Sequence, residues 1–212
     1  PQDEALLRPP GAIPEAQFLD RCVRCGACMR VCPTNMLQPQ GSEQGVQGLF
    51  AALAVPRRGP CRPECTACGQ VCPTGALRNL GPQEKMWAKM GTAVITRDKC
   101  LAWEWERSCL VCDEACPYAA IELKQSKDLK TAVPYVLEDR CTGCGACEHA
   151  CPVQGKAAIH VSPTGSLRLR QGSYQAQGHR LGLRITRGHE QVSLPVPGNS
   201  ENGDPGLPPG FE

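Results

Sequence analysis

Aromatic residues are scarce in this 212-residue chain, with three each of Trp, Tyr and Phe making up 4% of it. A conventional aromatic-rich core is therefore excluded, and something other than large side chains must act as core. No stretch of about eighteen apolar residues is present either, so no segment reads as a transmembrane helix. The chain opens at Pro1 rather than Met, with neither a basic n-region nor an apolar h-region, so it reads as a processed or trimmed product whose visible part is soluble. Neither sign of charge dominates, with 23 Lys and Arg against 21 Asp and Glu.

What the chain has in excess is cysteine, sixteen residues in four clusters that each close on Cys-Pro. They are Cys22, Cys25, Cys28 and Cys32 (motif one, 22–33), then Cys61, Cys65, Cys68 and Cys72 (motif two, 61–73). Cys100, Cys109, Cys112 and Cys116 follow with a widened first gap (motif three, 100–117), and Cys141, Cys144, Cys147 and Cys151 complete the set (motif four, 141–152). C-x2-C-x2-C-x3-C-P is a ferredoxin run: three crowded thiolates hold three corners of a [4Fe–4S] cube while the fourth reaches a neighbouring cube. The cofactor expectation is four [4Fe–4S] clusters, with all sixteen cysteines as cofactor-binding metal ligands and no catalytic residue.

Other cysteine chemistries fit poorly. Partners two residues apart are badly placed for disulfides, and zinc wants two separated ligand pairs closing one tetrahedron. Cys61-x3-Cys65-x2-Cys68 also matches the radical S-adenosylmethionine pattern, which leaves one iron open. Cys72-Pro73 supplies a fourth thiolate at ferredoxin spacing, however, and four cubes leave no room for a barrel. An enzyme with an open-site cluster at motif two or three is thus the alternative to an electron carrier. The formal charge of +2 counts the thiols as neutral; thiolates around four oxidised cores bring the loaded protein to about −6, so the basic balance does not argue for nucleic acid.

The motifs begin at 22, 61, 100 and 141, a repeat of 39, 39 and 41 residues. This regularity predicts an α+β fold of two ferredoxin-like 2[4Fe–4S] modules, a duplicated ferredoxin fold of short strands and helices around clusters. Strands are expected at 93–96, 120–123, 135–137 and 158–161. Pro14 is placed to open a short helix into Cys22, 49–55 is an apolar run, and 38–47 reads as a loop. The domain reading is an N-terminal extension over 1–21, a tetra-cluster region over 22–161 and an extended C-terminal tail over 162–212. Within the tail, 167–170 and 181–185 alternate as one or two strands do, and the last eighteen residues are Pro/Gly-rich. Either motifs one and two exchange their closing cysteines, as do three and four, or motif one pairs with four and two with three. Gap lengths do not decide, and analogy with other four-cluster subunits leans to the nested pairing.

Arg8-Pro9-Pro10-Gly11-Ala12-Ile13, CVRCGACMRVCP from Cys22, CPTGAL from Cys72, AVITRDKCLAW around Cys100 and CTGCGACEHACP from Cys141 together resemble the MauM/NapG-type polyferredoxins. The likeness spans about residues 8–161 and includes the motif order, with the stretched motif third. It departs at motif two, where the family spacing is C-x2-C-x4-C-x3-C-P. The resemblance implies an electron-transfer subunit at the periplasmic face of the cytoplasmic membrane, partnered by a membrane-embedded redox protein, a redox enzyme or a cytochrome, in a hetero-complex without a small-molecule substrate of its own.

Gly26-Ala27, Gly143 and Gly145-Ala146 let the backbone wrap tightly so that amide N–H groups point at sulfur. His149, between Cys147 and Cys151, is read as solvated or as tuning the fourth cube; His160, His179 and His189 have no ligand spacing. Trp103 and Trp105 either pack over a cluster or touch a partner. Arg168, Arg170, Arg180, Arg184 and Arg187 make the tail basic, for docking or as a solvated edge.

Overall fold

The computed structural model of the chain describes residues 6–42, 45–126 and 129–186. Within them the elements are short, because every motif forces the backbone to turn around its own sulfurs. The helices are α1 (Glu15–Arg21), α2 (Ala27–Arg30), α3 (Ala67–Gln70), α4 (Pro82–Trp87), α5 (Leu101–Glu104), α6 (Val111–Glu114), α7 (Ala146–Ala150) and α8 (Tyr174–Arg180). The strands are β1 (Leu37–Pro39), β2 (Ala52–Ala54), β3 (Thr92–Ile95), β4 (Ile121–Gln125), β5 (Ala132–Val136) and β6 (Ile159–Ser162).

Three antiparallel pairs form: β1 with β2, β3 with β6, and β4 with β5. In the second half the outer pair aligns Thr92 with Ser162 and the inner pair Ile121 with Val136, so motifs three and four lie between an outer and an inner ribbon. The first half has the same plan in miniature. An isolated bridge joins Ala12 to Leu77 outside, and Leu37 pairs with Ala54 inside. The four strands expected around motifs three and four are present within three residues of their predicted bounds, and α1 starts directly after Pro14.

Glycine is needed where the helix of a regular motif begins. Gly26 and Gly145 precede α2 and α7 at φ +71° and +78°, a conformation that L side chains resist. In the altered motifs Thr66 and Leu110 take that place at φ −119° and −110°. Where glycine is replaced at this position, the left-handed turn is absent.

The core is made of small residues and thiols packed around cavities. The larger cluster joins Trp87, Tyr118, Tyr174, Ile121, Ile159 and Ile185 to Cys116, Cys141, Cys144, Cys147 and Cys151. A smaller one gathers Ile13, Phe18, Ala52 and Leu77 against Cys22, Cys28, Cys68 and Cys72.

The two ends of the chain depart from expectation. Segments 167–170 and 181–185 form no strand; α8 lies between them, and Gly178 is packed so closely that a Cβ there would meet the Trp87 ring at 2.5 Å. The alternation in both segments is local, whereas burial of Tyr174 and Ile185 fixes the course of the chain. Residues 163–186 are therefore part of the packed body, and the Pro/Gly-rich stretch with Arg187 and His189 lies outside the described residues. Residues 6–21 are integral too. Arg8 is buried, its Nε 3.0 Å from Glu15 Oε2, and it donates to Ala52 O at 2.9 Å and Gln40 Oε1 at 2.8 Å. Arg168 donates to the same Glu15 Oε2 at 2.8 Å, tying the segment after β6 to the beginning of the described chain.

Candidate iron–sulfur sites

All sixteen cysteines are free thiols, and they line four cavities in sets of four. Cys22, Cys25 and Cys28 share one with Cys72. Cys61, Cys65 and Cys68 share the next with Cys32. Cys141, Cys144 and Cys147 take Cys116, and Cys100, Cys109 and Cys112 take Cys151. Motifs one and two therefore exchange their closing cysteines, as do three and four, which corrects the nested pairing. The physical reason is the fold: each pair of motifs sits between the outer and inner strands of its own half, which brings each closing Cys-Pro beside the companion loop.

The cavities form a row. Cys28 is among the thiols that raise the Cys68 pKa, which places the Cys22 and Cys61 cavities side by side. Cys61 acts likewise on Cys144, and the Cys61 N–H donates to the Cys144 carbonyl at 2.8 Å. Cys112 in turn presses on Cys147. The order is Cys22 cavity, Cys61 cavity, Cys141 cavity, Cys100 cavity.

Several features fit a cube in each cavity. The spaces are alike, about 390, 350, 320 and 390 Å³ along the row. Each is lined by four cysteines, three from one motif and one from its companion. Backbone amides point at sulfur, from Leu77 to Cys72 at 3.4 Å, Ala93 to Cys141 at 3.4 Å and Ala120 to Cys116 at 3.3 Å. Such bonds stabilise thiolate and tune a bound cluster.

The proton affinities tell the same story. Burial, then neighbouring thiols, pushes Cys28 up to about 11 and Cys68 and Cys112 to about 12. Cys144 also reaches about 12, where burial leads and Cys116, Cys141 and Cys61 add to it. Without iron these groups hold their protons, and only a metal core offsets four thiolates so close together. Cys32 and Cys72 behave oppositely: burial raises them, but hydrogen bonds from Thr34 and Thr74 and nearby amides outweigh it and leave both lowered.

Two buried lysines, which the sequence reading did not single out, stand at the middle of the row. Lys85 Nζ donates to the carbonyl oxygens of Arg62 (2.5 Å) and Pro63 (3.2 Å) and pulls the Cys61 pKa down against burial. Lys89 donates to Glu138 O at 2.6 Å; desolvation lowers its pKa while Cys141 opposes that. Neither shows a sequence signal beyond its i, i+4 spacing. Arg57 was also missed. It reaches from the first half to cap α7, donating to Glu148 O, Cys151 O and Val153 O at 2.9, 2.9 and 2.7 Å.

The remaining singled-out residues divide cleanly. His149 is exposed, its Nδ1 3.2 Å from Arg57 O. Trp103 is packed, with the Arg97 guanidinium 4.1 Å from its ring centroid and Tyr135 edge-on, whereas Trp105 is 53% exposed. Arg168 and Arg184 serve the fold, paired with Glu15 and Asp139.

Residues 18–38 match the family model of a 4Fe-4S binding domain, and residues 107–154 that of a 4Fe-4S dicluster domain. The chain is 41% identical over 163 residues to the methylamine utilization ferredoxin-type protein MauM of Methylorubrum extorquens, covering 74% of this chain and 72% of that protein. It is 38% identical over 165 residues to the ferredoxin-type protein NapG of Escherichia coli, covering 74% and 70%. With NapG of Haemophilus influenzae the identity is 32% over 206 residues, covering 90% and 71%.

Proposed function

The chain belongs to the family of MauM and NapG ferredoxin-type iron–sulfur proteins, and from that premise we propose that it is a four-cube electron wire built as two duplicated ferredoxin modules. One observation carries this reading: sixteen thiols divide into four sets of four, with none left over and no set short. A cube with four thiolate ligands offers no open iron, which disfavours an enzyme acting at motif two or three.

Bound clusters supply one-electron chemistry; the chain supplies position and electrostatics. Each closing cysteine leaves a loop whose other cysteines line one cavity and enters the neighbouring one, so with clusters bound it would give the two cubes of a half a covalent path. The Cys61 N–H to Cys144 carbonyl bond joins the halves. Lys85 beside Cys61 and Lys89 beside Cys141 would place positive charge next to clusters in the two central cavities, and amide N–H groups directed at Cys72, Cys116 and Cys141 would further stabilise the electron-rich state.

The donor and acceptor are a membrane-embedded redox component and a redox enzyme or cytochrome, within a hetero-complex at the periplasmic face of the cytoplasmic membrane. The family resemblance supports that placement, and fractionation of the native cell tests it. The wire itself is tested by mixing anaerobically reduced protein with excess oxidised cytochrome c: delivery of about four electrons per chain, one per cube, is expected. Reduced protein that delivers none is inert, and its clusters are then staples.

A further inference from the structure

The row of cavities ends at the Cys22 cavity on one side and the Cys100 cavity on the other, and the Cys22 end is built as a surface. Cys25 is the one exposed cysteine of the sixteen. Beside it Val23 is 60% exposed and Phe50 59% exposed, and both line the mouth of the same cavity. A chain with three Phe spends one of them on solvent here.

That rim is held in place at a cost. Arg24 and Phe50 both adopt left-handed backbone, at φ +56° and +63°, without being glycine. The Arg24 side chain braces the loop that turns Phe50 outward, its Nε donating to Leu49 O at 3.0 Å and its Nη2 to Gln47 O at 2.7 Å. Backbone strain of this kind, also present at Asn35, Glu106 and Ala119, persists only where the surroundings hold it, as these bonds do here.

Charge distinguishes the two ends. Exposed Arg24 lines the Cys22 mouth, exposed Arg21 and Arg30 flank its cysteines in the chain, and Asp20 is the one acidic residue between 16 and 42 among those described. At the other end Trp105 (53% exposed) and Leu110 lie among Glu104, Glu106, Asp113 and Glu114, with Arg107 the one base between 104 and 114. On a loaded protein that is acidic overall, a basic end orients the molecule before contact.

We propose that the Val23/Phe50 rim, with Arg24 at the mouth and Arg21 and Arg30 flanking Cys22 and Cys28, is the docking face for an acidic redox protein whose own centre lies beneath a carboxylate-bordered apolar patch. The cube held by Cys22, Cys25, Cys28 and Cys72 is the port through which electrons pass to or from that partner. This inference rests on the electron-wire reading and adds to it the location and the chemistry of one partner.

The test uses the cluster-loaded chain and, as probe, an acidic flavodoxin in its hydroquinone state. Stopped-flow reduction should slow about tenfold in the Arg21→Glu/Arg30→Glu variant, and also when salt is raised to screen the pair. Phe50→Ala should slow it at every salt concentration. Glu104→Lys/Glu114→Lys, at the opposite end, should leave the rate unchanged or raise it, and all variants should keep their iron content and EPR signals. Equal rates in the first variant and the wild type overturn the docking face. So does absence of transfer from flavodoxin while dithionite still reduces the cubes. Binding to phosphatidylglycerol vesicles that is lost in Arg21→Glu/Arg30→Glu, with flavodoxin rates unmoved, replaces the protein partner by a lipid surface. Failure of dithionite to reduce any cube refutes the wire instead and leaves a different experimental signature.

Discussion

Cys72 and Cys68 are four residues apart, yet they face different cavities, because Cys-Pro ends the loop and sends its sulfur to the neighbour. A Cys72→Ser variant should therefore disturb the same EPR signal as Cys25→Ser, while Cys68→Ser disturbs another; matching signals for Cys72 and Cys68 would restore separate, unshared motifs. The thiols also set a pH dependence. In the folded arrangement before iron binds, burial raises Cys68, Cys112 and Cys144 to about 12, so whatever folded population the iron-free chain has is favoured below about pH 9, where these thiols are neutral, and declines as pH climbs towards 12. Loading works against those protons and releases about four per cube, so cluster retention should strengthen as pH rises and weaken in acid. Iron release to a chelator, followed from pH 6 to 9, should fall steadily; a flat profile would mean that the thiols are already ionised.

Among the elements, α7 carries the most consequence, since it holds Cys147, precedes Cys151 and abuts the first half. Gly145 begins it at φ +78°, where a Cβ would meet Pro56 at 2.3 Å. Arg57 closes its other end with three bonds to carbonyls. Arg57→Ala should cost about 2 kcal/mol, since bonds from a charged donor are each worth roughly that much and solvent replaces part of them. Thermal bleaching of the cluster absorbance should move down by several degrees; no change would show that the halves are held together without this bridge. The strands around motifs three and four were legible because their short β-branched and apolar runs coincide with the burial of Ala93, Ile121, Val133 and Ile159. Segments 167–170 and 181–185 alternate as strands do, yet Tyr174, Gly178 and Ile185 pack against the Trp87 region and draw the chain into α8. All sixteen cavity-lining cysteines were legible from their spacing. Its pairing was not, since nearly equal gaps suit either arrangement until strand pairing closes each half on itself. Arg8, Arg57, Lys85 and Lys89 are buried or bridging through long-range bonds to carbonyl oxygens, for which a single sequence carries no mark.

Over the whole molecule, the aromatic poverty and the cysteine wealth are one property. Where a domain of this size would place large side chains, the structure has thiol-lined space and small residues such as Ala51, Ala52, Ala102 and Ala158. Cluster binding is then folding free energy, so the iron-free chain should be largely unfolded, with little dispersion in its amide NMR spectrum. Sharp, dispersed resonances without iron would mean that the protein core suffices. The four-cube row is tested most directly by iron quantification on anaerobically purified protein together with an EPR-monitored redox titration. About sixteen iron atoms per chain and reduction of four cubes, neighbours in the row showing magnetic interaction, are predicted. A count near twelve, with one reduced signal missing, would mean that one altered motif holds no cube and would break the row.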